Sequence, residues 1–208
     1  MLISTGMART YEAGEPLIIE GLADTRVIVL IEGRVKVTCC DADGNEVLLA
    51  IRGAGDVVGE RAAIDRGIRS AMVTALRPCS TRVLTARQFM DFVHRHDLTT
   101  AMLELAVSRQ REAQQIRVEL TTMPVPRRLV RLLRRLVEAL EHQGAAPVAL
   151  DIGIPQDELA QAIGASRSQV AAHLGRLRRA GIVATGHRRI VVLDHARLRA
   201  VDLGRLSI

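Results

Sequence analysis

The 208-residue chain has no tryptophan, and Tyr11, Phe89 and Phe92 are its only aromatic side chains. That excludes binding of single-stranded nucleic acid by base stacking, which needs a row of aromatic platforms. Cysteine is sparse too. Cys39, Cys40 and Cys79 form neither a metal-ligand spacing nor an even set of pairs, so a disulfide framework is excluded. Cys39-Cys40 read as small buried or edge residues of a strand. His94 and His96 stand two apart and project from different helix faces, so no metal site is expected there. No apolar run approaches the ~18 residues of a membrane-spanning helix. The opening MLISTGMARTYEAGE lacks a charged segment followed by an apolar one, so no secretory signal is expected. A cytoplasmic protein with no membrane partner is the expectation. No nucleophile, base and orienting group come together in the sequence, which argues against an enzyme. There is no internal repeat.

Lysine is almost missing as well, with Lys36 alone against a wealth of arginine. The net charge of +6 is unevenly spread. Residues 1–120 carry 15 basic against 16 acidic side chains, and residues 121–208 carry 14 against 7. The whole basic surplus therefore lies in the C-terminal part, as expected of a segment that meets phosphates.

That part contains the stretch around which the rest is organised, Ile154 to Leu193. Pro155 suits the first turn of a helix. Asp157 and Glu158 follow, where the helix dipole favours negative charge. Leu159, Ala162 and Ile163 make a short apolar face. Gly164-Ala165 breaks this helix, and Ser166 can cap the next by accepting from the backbone N–H of Ser168 or Gln169. In the second helix Val170, Leu174 and Leu177 have core spacing. Ser168, Gln169, Ala172, Arg176 and Arg179 lie opposite, with Arg167 at the tip. Gly181 ends the helix. Two short strands then flank a Thr185-Gly186 turn with His187, Arg188 and Arg189. Two short helices, a tight turn and a basic hairpin describe a winged helix-turn-helix. The exposed cationic face suits a DNA major groove; its bland alternative is a small helical subdomain with a solvated charged face.

Residues 8 to about 84 read as β structure. Apolar runs recur at Pro16–Ile19, Val27–Ile31, Val35–Cys39, Val47–Ile51, Met72–Ala75 and Thr81–Leu84, with glycine-bearing turns between them. Asp43-Gly44 is a strong hairpin signal. Regular short strands imply a jelly roll or barrel able to hold one small ligand. Within it, VVGERAAIDRGIRSA (57–71) is the unusual stretch. Gly59 before a helical turn exposes N–H groups to an anion. Arg69 can fork onto a phosphate, Ser70 can add a hydroxyl, and Glu60 can accept from a sugar hydroxyl. The alternative is a Glu60–Arg69 salt bridge tying a surface loop. Residues 85–97 read as an amphipathic helix capped by Thr85. A helix from about Leu98 to Leu120 follows, with Met102, Ala106, Arg109, Ala113, Ile116 and Leu120 at coiled-coil spacing. Such a narrow seam needs a partner, so a symmetric homodimer is expected. Arg109, the one charged seam residue, is read as snorkelling at the seam edge. Thr121 to Pro126 is the hinge. Helix 127–142 follows, its Arg127, Arg128, Arg131, Arg134 and Arg135 read mainly as a solvated face.

The order of these parts resembles the cyclic AMP receptor protein and fumarate-nitrate regulator (Crp/Fnr) superfamily of bacterial transcription regulators over nearly the whole chain. The matching stretches are LIIEGLADTRVIVLIEGRVKV, DADGNEV, GDVVGE, RSA and IGASRSQVAAHLGRLRRAGIV with the wing after it. The resemblance implies an α+β architecture. Residues 1–97 would be a jelly-roll cyclic-nucleotide-binding barrel, 98–123 a dimerisation helix and hinge, and 124–208 a winged helix-turn-helix DNA-binding domain. It implies that Gly59 and Glu60 hold ribose and phosphate and that Arg69 and Ser70 hold the phosphate. It implies double-stranded DNA, a second copy of the chain and RNA polymerase as partners. No cofactor is required; the effector it implies is cAMP, with cGMP, another small effector or an empty pocket as alternatives. Ala113-Gln114 stand where the family has a base-contacting Thr-Ser pair, and Gln114 is the candidate base contact. Arg61 stands where an apolar residue is usual. Expected DNA contacts are Ser166, Arg167, Ser168, Gln169, Ala172, His187, Arg188 and Arg189. The cysteine cluster of the oxygen-sensing branch and a haem pair are both absent.

Overall fold

A computed structural model describes residues 6–44, 46–141, 149–186 and 189–206. The apolar runs of the N-terminal half pair into two four-stranded sheets. One has the order β1 (Met7–Tyr11), β8 (Cys79–Leu84), β3 (Val27–Glu32), β6 (Val57–Val58). The other runs β2 (Pro16–Ile18), β7 (Met72–Ala75), β4 (Arg34–Cys40), β5 (Glu46–Gly53). Neighbours pair antiparallel at β1–β8, β3–β8, β3–β6, β2–β7 and β4–β7. This is the two-sheet jelly roll that the strand spacing implies.

Strand β3 shows why the runs are so apolar. Successive side chains point to opposite faces. Ile28 and Leu30 join Tyr11, Leu17, Val35 and Val73 in the core cluster of the roll. Val27 and Val29 face the other way, into a second cluster with Leu84, Phe89 and Val93. The strand is buried on both faces, and each such side chain contributes about 1.5–3 kcal/mol. Phe89 and Val93 lie on α2 (Ala86–Arg95), which starts in a capping box of Thr85 and Gln88. The Asp43-Gly44 turn forms as expected, with Gly44 at φ 82° and its N–H donating to Asp41 O.

Strands β1 and β6 were not among the expected runs, because β1 is mostly polar and exposed and β6 has two residues. A short helix α1 (Glu60–Asp65) follows β6. The long helix α3 spans Thr99–Thr122 and α4 spans Val125–Glu141. The interruption is shorter than the expected hinge. Pro126 falls in the first turn of α4, where its missing N–H costs nothing. Leu129, Val130, Leu132, Leu133, Leu136 and Val137 of α4 are buried.

Next come β9 (Leu150–Asp151), α5 (Gln156–Ala162), α6 (Arg167–Arg179), β10 (Val183–Gly186), β11 (Arg189–Val192) and α7 (His195–Asp202). Strands β10, β11 and β9 form a three-stranded sheet. By contacts the chain forms two compact units: residues 1–45 with Leu49–Gln114, and Glu46–Leu48 with residues 115–208. The division falls inside α3. Among the described residues no helix is long and apolar enough to cross a membrane, and no group of His, Cys, Asp or Glu can hold a metal ion.

Candidate functional site

The loop after β6 is built around Gly59 and Arg69. Pairing of Val57 and Val58 with β3 brings the chain to the end of that strand. Gly59 then turns with φ 83°, a left-handed conformation that favours glycine. A Cβ there would sit 2.6 Å from Arg69 Nη1 and 2.8 Å from Arg26 O. The missing side chain is what lets the Arg69 fork lie against the loop. Arg69 is 3% exposed. Its Nη1 donates to Gly59 O at 2.9 Å, and its Nη2 donates to Arg26 O at 2.5 Å and to Asp24 Oδ2 at 2.9 Å. Its Nε is buried and has no hydrogen-bond partner among the described residues. The Asp24 carboxylate is held from the other side as well. Oδ1 accepts from Arg26 N and Nε, both at 3.0 Å, and Oδ2 accepts from Arg26 Nη2 at 3.2 Å. Burial alone would raise the Asp24 pKa; the hydrogen bonds from Arg26 and Arg69 outweigh it and hold the carboxyl far below the usual carboxylate range. Ser70 is exposed next to this cluster.

Glu60 does not pair with Arg69, so the loop-tying salt bridge is not formed. Its carboxylate Oε1 instead accepts a hydrogen bond from Nη1 of Arg109 on α3, whose Nη2 donates to Val57 O at 2.7 Å. Arg109 is thus half-buried and paired; it is not a snorkelling seam residue. One turn along, Glu112 of α3 binds Arg52 Nη2 at 2.8 Å. The face of α3 that carries Met102, Leu105, Arg109, Glu112, Ile116 and Glu119 is half-buried or buried in the chain itself, with Met102 packed against the Phe89 cluster. Three of the six expected seam residues, Met102, Arg109 and Ile116, therefore lie on an inward face. Ala106, Ala113 and Leu120 are exposed, on a different arc with Leu103, Val107, Gln110 and Gln114. Leu103, Ala106, Gln110, Ala113, Arg117 and Leu120 repeat at alternating three and four. The expected seam thus divides by phase: this alanine-rich helix has two candidate stripes, and the chain covers one of them itself.

In the second unit, the helix pair α5–α6 turns at Gly164, φ 58°. Ser166 Oγ accepts from Gln169 N at 3.2 Å, and Gln169 Oε1 accepts from Ser166 N at 3.0 Å. This reciprocal box satisfies two N–H groups at the start of α6. It engages the Gln169 carbonyl in capping and leaves its NH₂ for other partners. Val170, Leu174 and Leu177 are buried, while Ser166, Arg167, Ser168, Gln169, Ala172, Arg176 and Arg179 are exposed. His173 on this helix has its pKa lowered by burial and then by Arg176. His187 and Arg188 lie outside the described residues. Arg189, an expected phosphate contact, is exposed and pairs with Asp151 at 2.9 Å. An exposed pair of this kind is worth little and exchanges readily.

Three α4 arginines expected in solvent are tied down instead. Arg131 binds Glu119 and Asp202, Arg134 binds Asp202, and Arg135 binds Glu119 at 2.5 Å. Both acids are 3% exposed. Burial lowers the Arg131 pKa, but its bonds to the Asp202 and Glu119 carboxylates raise it further than burial lowers it. Glu119 is in the last turns of α3, so the helix is clamped to α4 across the interruption.

Comparison with known proteins agrees with this architecture. Residues 8–96 match the family model of the cyclic nucleotide-binding domain, and residues 127–201 match that of the Crp-like helix-turn-helix domain. The chain is 26% identical over 204 residues to the cyclic AMP receptor protein of Thermus thermophilus, covering 98% of this chain and 92% of that one. It is 25% identical over 189 residues to the CRP-like cAMP-activated global transcriptional regulator of Mycobacterium tuberculosis, covering 90% and 84%. In fold it is similar to FixK2 from Bradyrhizobium japonicum, with TM-score 0.77, 18% identity and coverage of 95% and 98%. The c-di-GMP responsive regulator CLP of Xanthomonas campestris gives TM-score 0.72 at 19% identity, covering 93% and 96%. The relatives are transcription regulators and not enzymes. With both family models matched in order, a jelly roll, a long helix and an exposed, capped, cationic helix in a winged fold, the chain belongs to the Crp/Fnr superfamily and is a DNA-binding transcription regulator.

Proposed function

We propose that this regulator is a cytoplasmic homodimer controlled by a cyclic nucleotide, cAMP in the first place, held at Gly59, Glu60, Arg69 and Ser70. The observation that carries the reading is the Glu60–Arg109 pair. Glu60 is the carboxylate suited to a sugar hydroxyl, and Arg109 belongs to α3. A ligand that engages Glu60 competes for the bond that fastens α3 to the loop. The exposed α3 stripe with Leu103, Ala106, Ala113 and Leu120 supports pairing with a second copy. Gln114, on the same arc, would meet the effector's base from the dimer side. Release or retention of Arg109 then sets the geometry of the α3 pair, and with it the spacing of two α6 helices on half-sites ~34 Å apart. Effector acts only through its differential affinity for the two geometries. Arg167 reads a guanine, Ser168 and Gln169 read neighbouring bases, Ala172 touches a thymine methyl, and His187, Arg188 and Arg189 grip phosphate. RNA polymerase is the expected downstream partner.

A second reading, in which the pocket works without a nucleotide, is favoured by the Arg69–Asp24 pair, since the phosphate ligand already has an internal anion. Isothermal calorimetry with cAMP and cGMP separates the two. The first reading expects binding by the native chain and at least tenfold weaker binding by Glu60→Gln. Equal affinity in Glu60→Gln removes Glu60 from the site, and no heat with either nucleotide selects the second reading.

A further inference from the structure

We infer that the Asp24 carboxylate is an internal anion seated at the phosphate position of the effector site, and that effector binds by partner exchange at Arg69. The inference rests on the nucleotide reading of that site.

Arginine binds an oxyanion best along one edge of its planar fork, where two parallel N–H groups meet two oxygens. In Arg69 the edge formed by Nε and Nη2 is incomplete. Nη2 donates to Arg26 O at 2.5 Å and to Asp24 Oδ2 at 2.9 Å, whereas Nε is buried with no hydrogen-bond partner among the described residues. Asp24 does not complete the edge because its other oxygen, Oδ1, is committed to Arg26 N and Nε. A buried N–H without an acceptor is costly. A cyclic phosphate in Asp24's place would offer two exocyclic oxygens, one for Nη2 and one for Nε.

Asp24 is built to leave. Its side chain is 23% exposed, while that of Arg69 is 2% exposed, so water reaches the acid and not the base. Arg26 is 49% exposed, and its three bonds to Asp24 persist when Oδ2 lets go of Arg69. A phosphate monoanion replaces a carboxylate monoanion, so Arg69 is never left as a buried unpaired charge. Nucleotide affinity is then a difference between two anions competing for one fork. Asp24 sets that difference, and Arg26 sets how easily Asp24 is released.

Two substitutions with opposite expected signs test this on the full-length protein. Calorimetry with cAMP and with cGMP is run on the native chain, Asp24→Asn and Arg26→Ala, with circular dichroism to verify folding. Partner exchange predicts at least tenfold tighter binding in Asp24→Asn, where the competitor has lost its charge. It predicts severalfold weaker binding in Arg26→Ala, where Arg69 is the only cation left to Asp24. Loss of stability alone would move both the same way. Unchanged or weaker binding by folded Asp24→Asn overturns the inference and leaves the nucleotide reading standing; if Asp24→Asn does not fold, unchanged or tighter binding by Arg26→Ala overturns it in the same way. Absence of binding by all three proteins at millimolar nucleotide overturns both.

Discussion

Single residues here are defined by the partners they find far away in sequence. Arg69, Ser70, Gly59 and Glu60 are readable as a phosphate-binding set from type and order. Asp24 is not, because no spacing rule links it to a residue 45 positions on. The same holds for Arg131, Arg134 and Arg135, whose acidic partners Glu119 and Asp202 come from other helices. A cation on a helix face reads as solvated until the fold supplies an acid. Residues whose partner is local were legible. Ser166 and Thr85 cap their helices as their positions predict. On α6, Arg167 stands at the exposed first turn, the place from which a guanidinium reaches a base edge. Arg167→Ala should cost about 1–3 kcal/mol on the preferred sequence and little on random duplex. Fluorescence anisotropy on DNA selected from a random pool measures this; an equal loss on both duplexes would reassign Arg167 to the phosphate backbone.

At the scale of elements, α3 is the case in point. Its existence and length follow from the sequence to within two residues, yet its phase does not. Met102 and Ile116 look as apolar as Leu103 and Val107, and the deciding fact is what the inward face meets. Arg109 and Glu112 find Glu60 and Arg52 there, so the inward face is held by charge as much as by apolar packing. That leaves Leu103, 64% exposed, on the arc we propose for pairing with a second copy. Sedimentation of Leu103→Glu should show a shift from dimer to monomer, because two buried carboxylates would face each other across the axis. Met102→Glu, on the inward face, should instead lower the unfolding midpoint. A native chain that sediments as a monomer, or a dimeric Leu103→Glu, removes this arc from the interface.

For the whole molecule, the fold class and the order of its parts were legible because turns, caps and charge asymmetry agree. How a ligand at the loop would change DNA binding is not written in any one of them. It depends on one helix that carries Arg109 to Glu60 near its middle and Glu119 to Arg131 and Arg135 near its end. In the proposed mechanism a bond broken at the first pair is passed along the helix whose last turns are clamped to α4. Coupling of this kind is typically about 1–3 kcal/mol, or about 5- to 150-fold in affinity. The most direct measurement is therefore the affinity of the native protein for its selected duplex, by fluorescence anisotropy at fixed salt, with and without saturating cAMP. The expected result is a change of at least fivefold that disappears in Arg109→Ala. Identical binding curves with and without the nucleotide, in a protein shown by calorimetry to hold it, would contradict it.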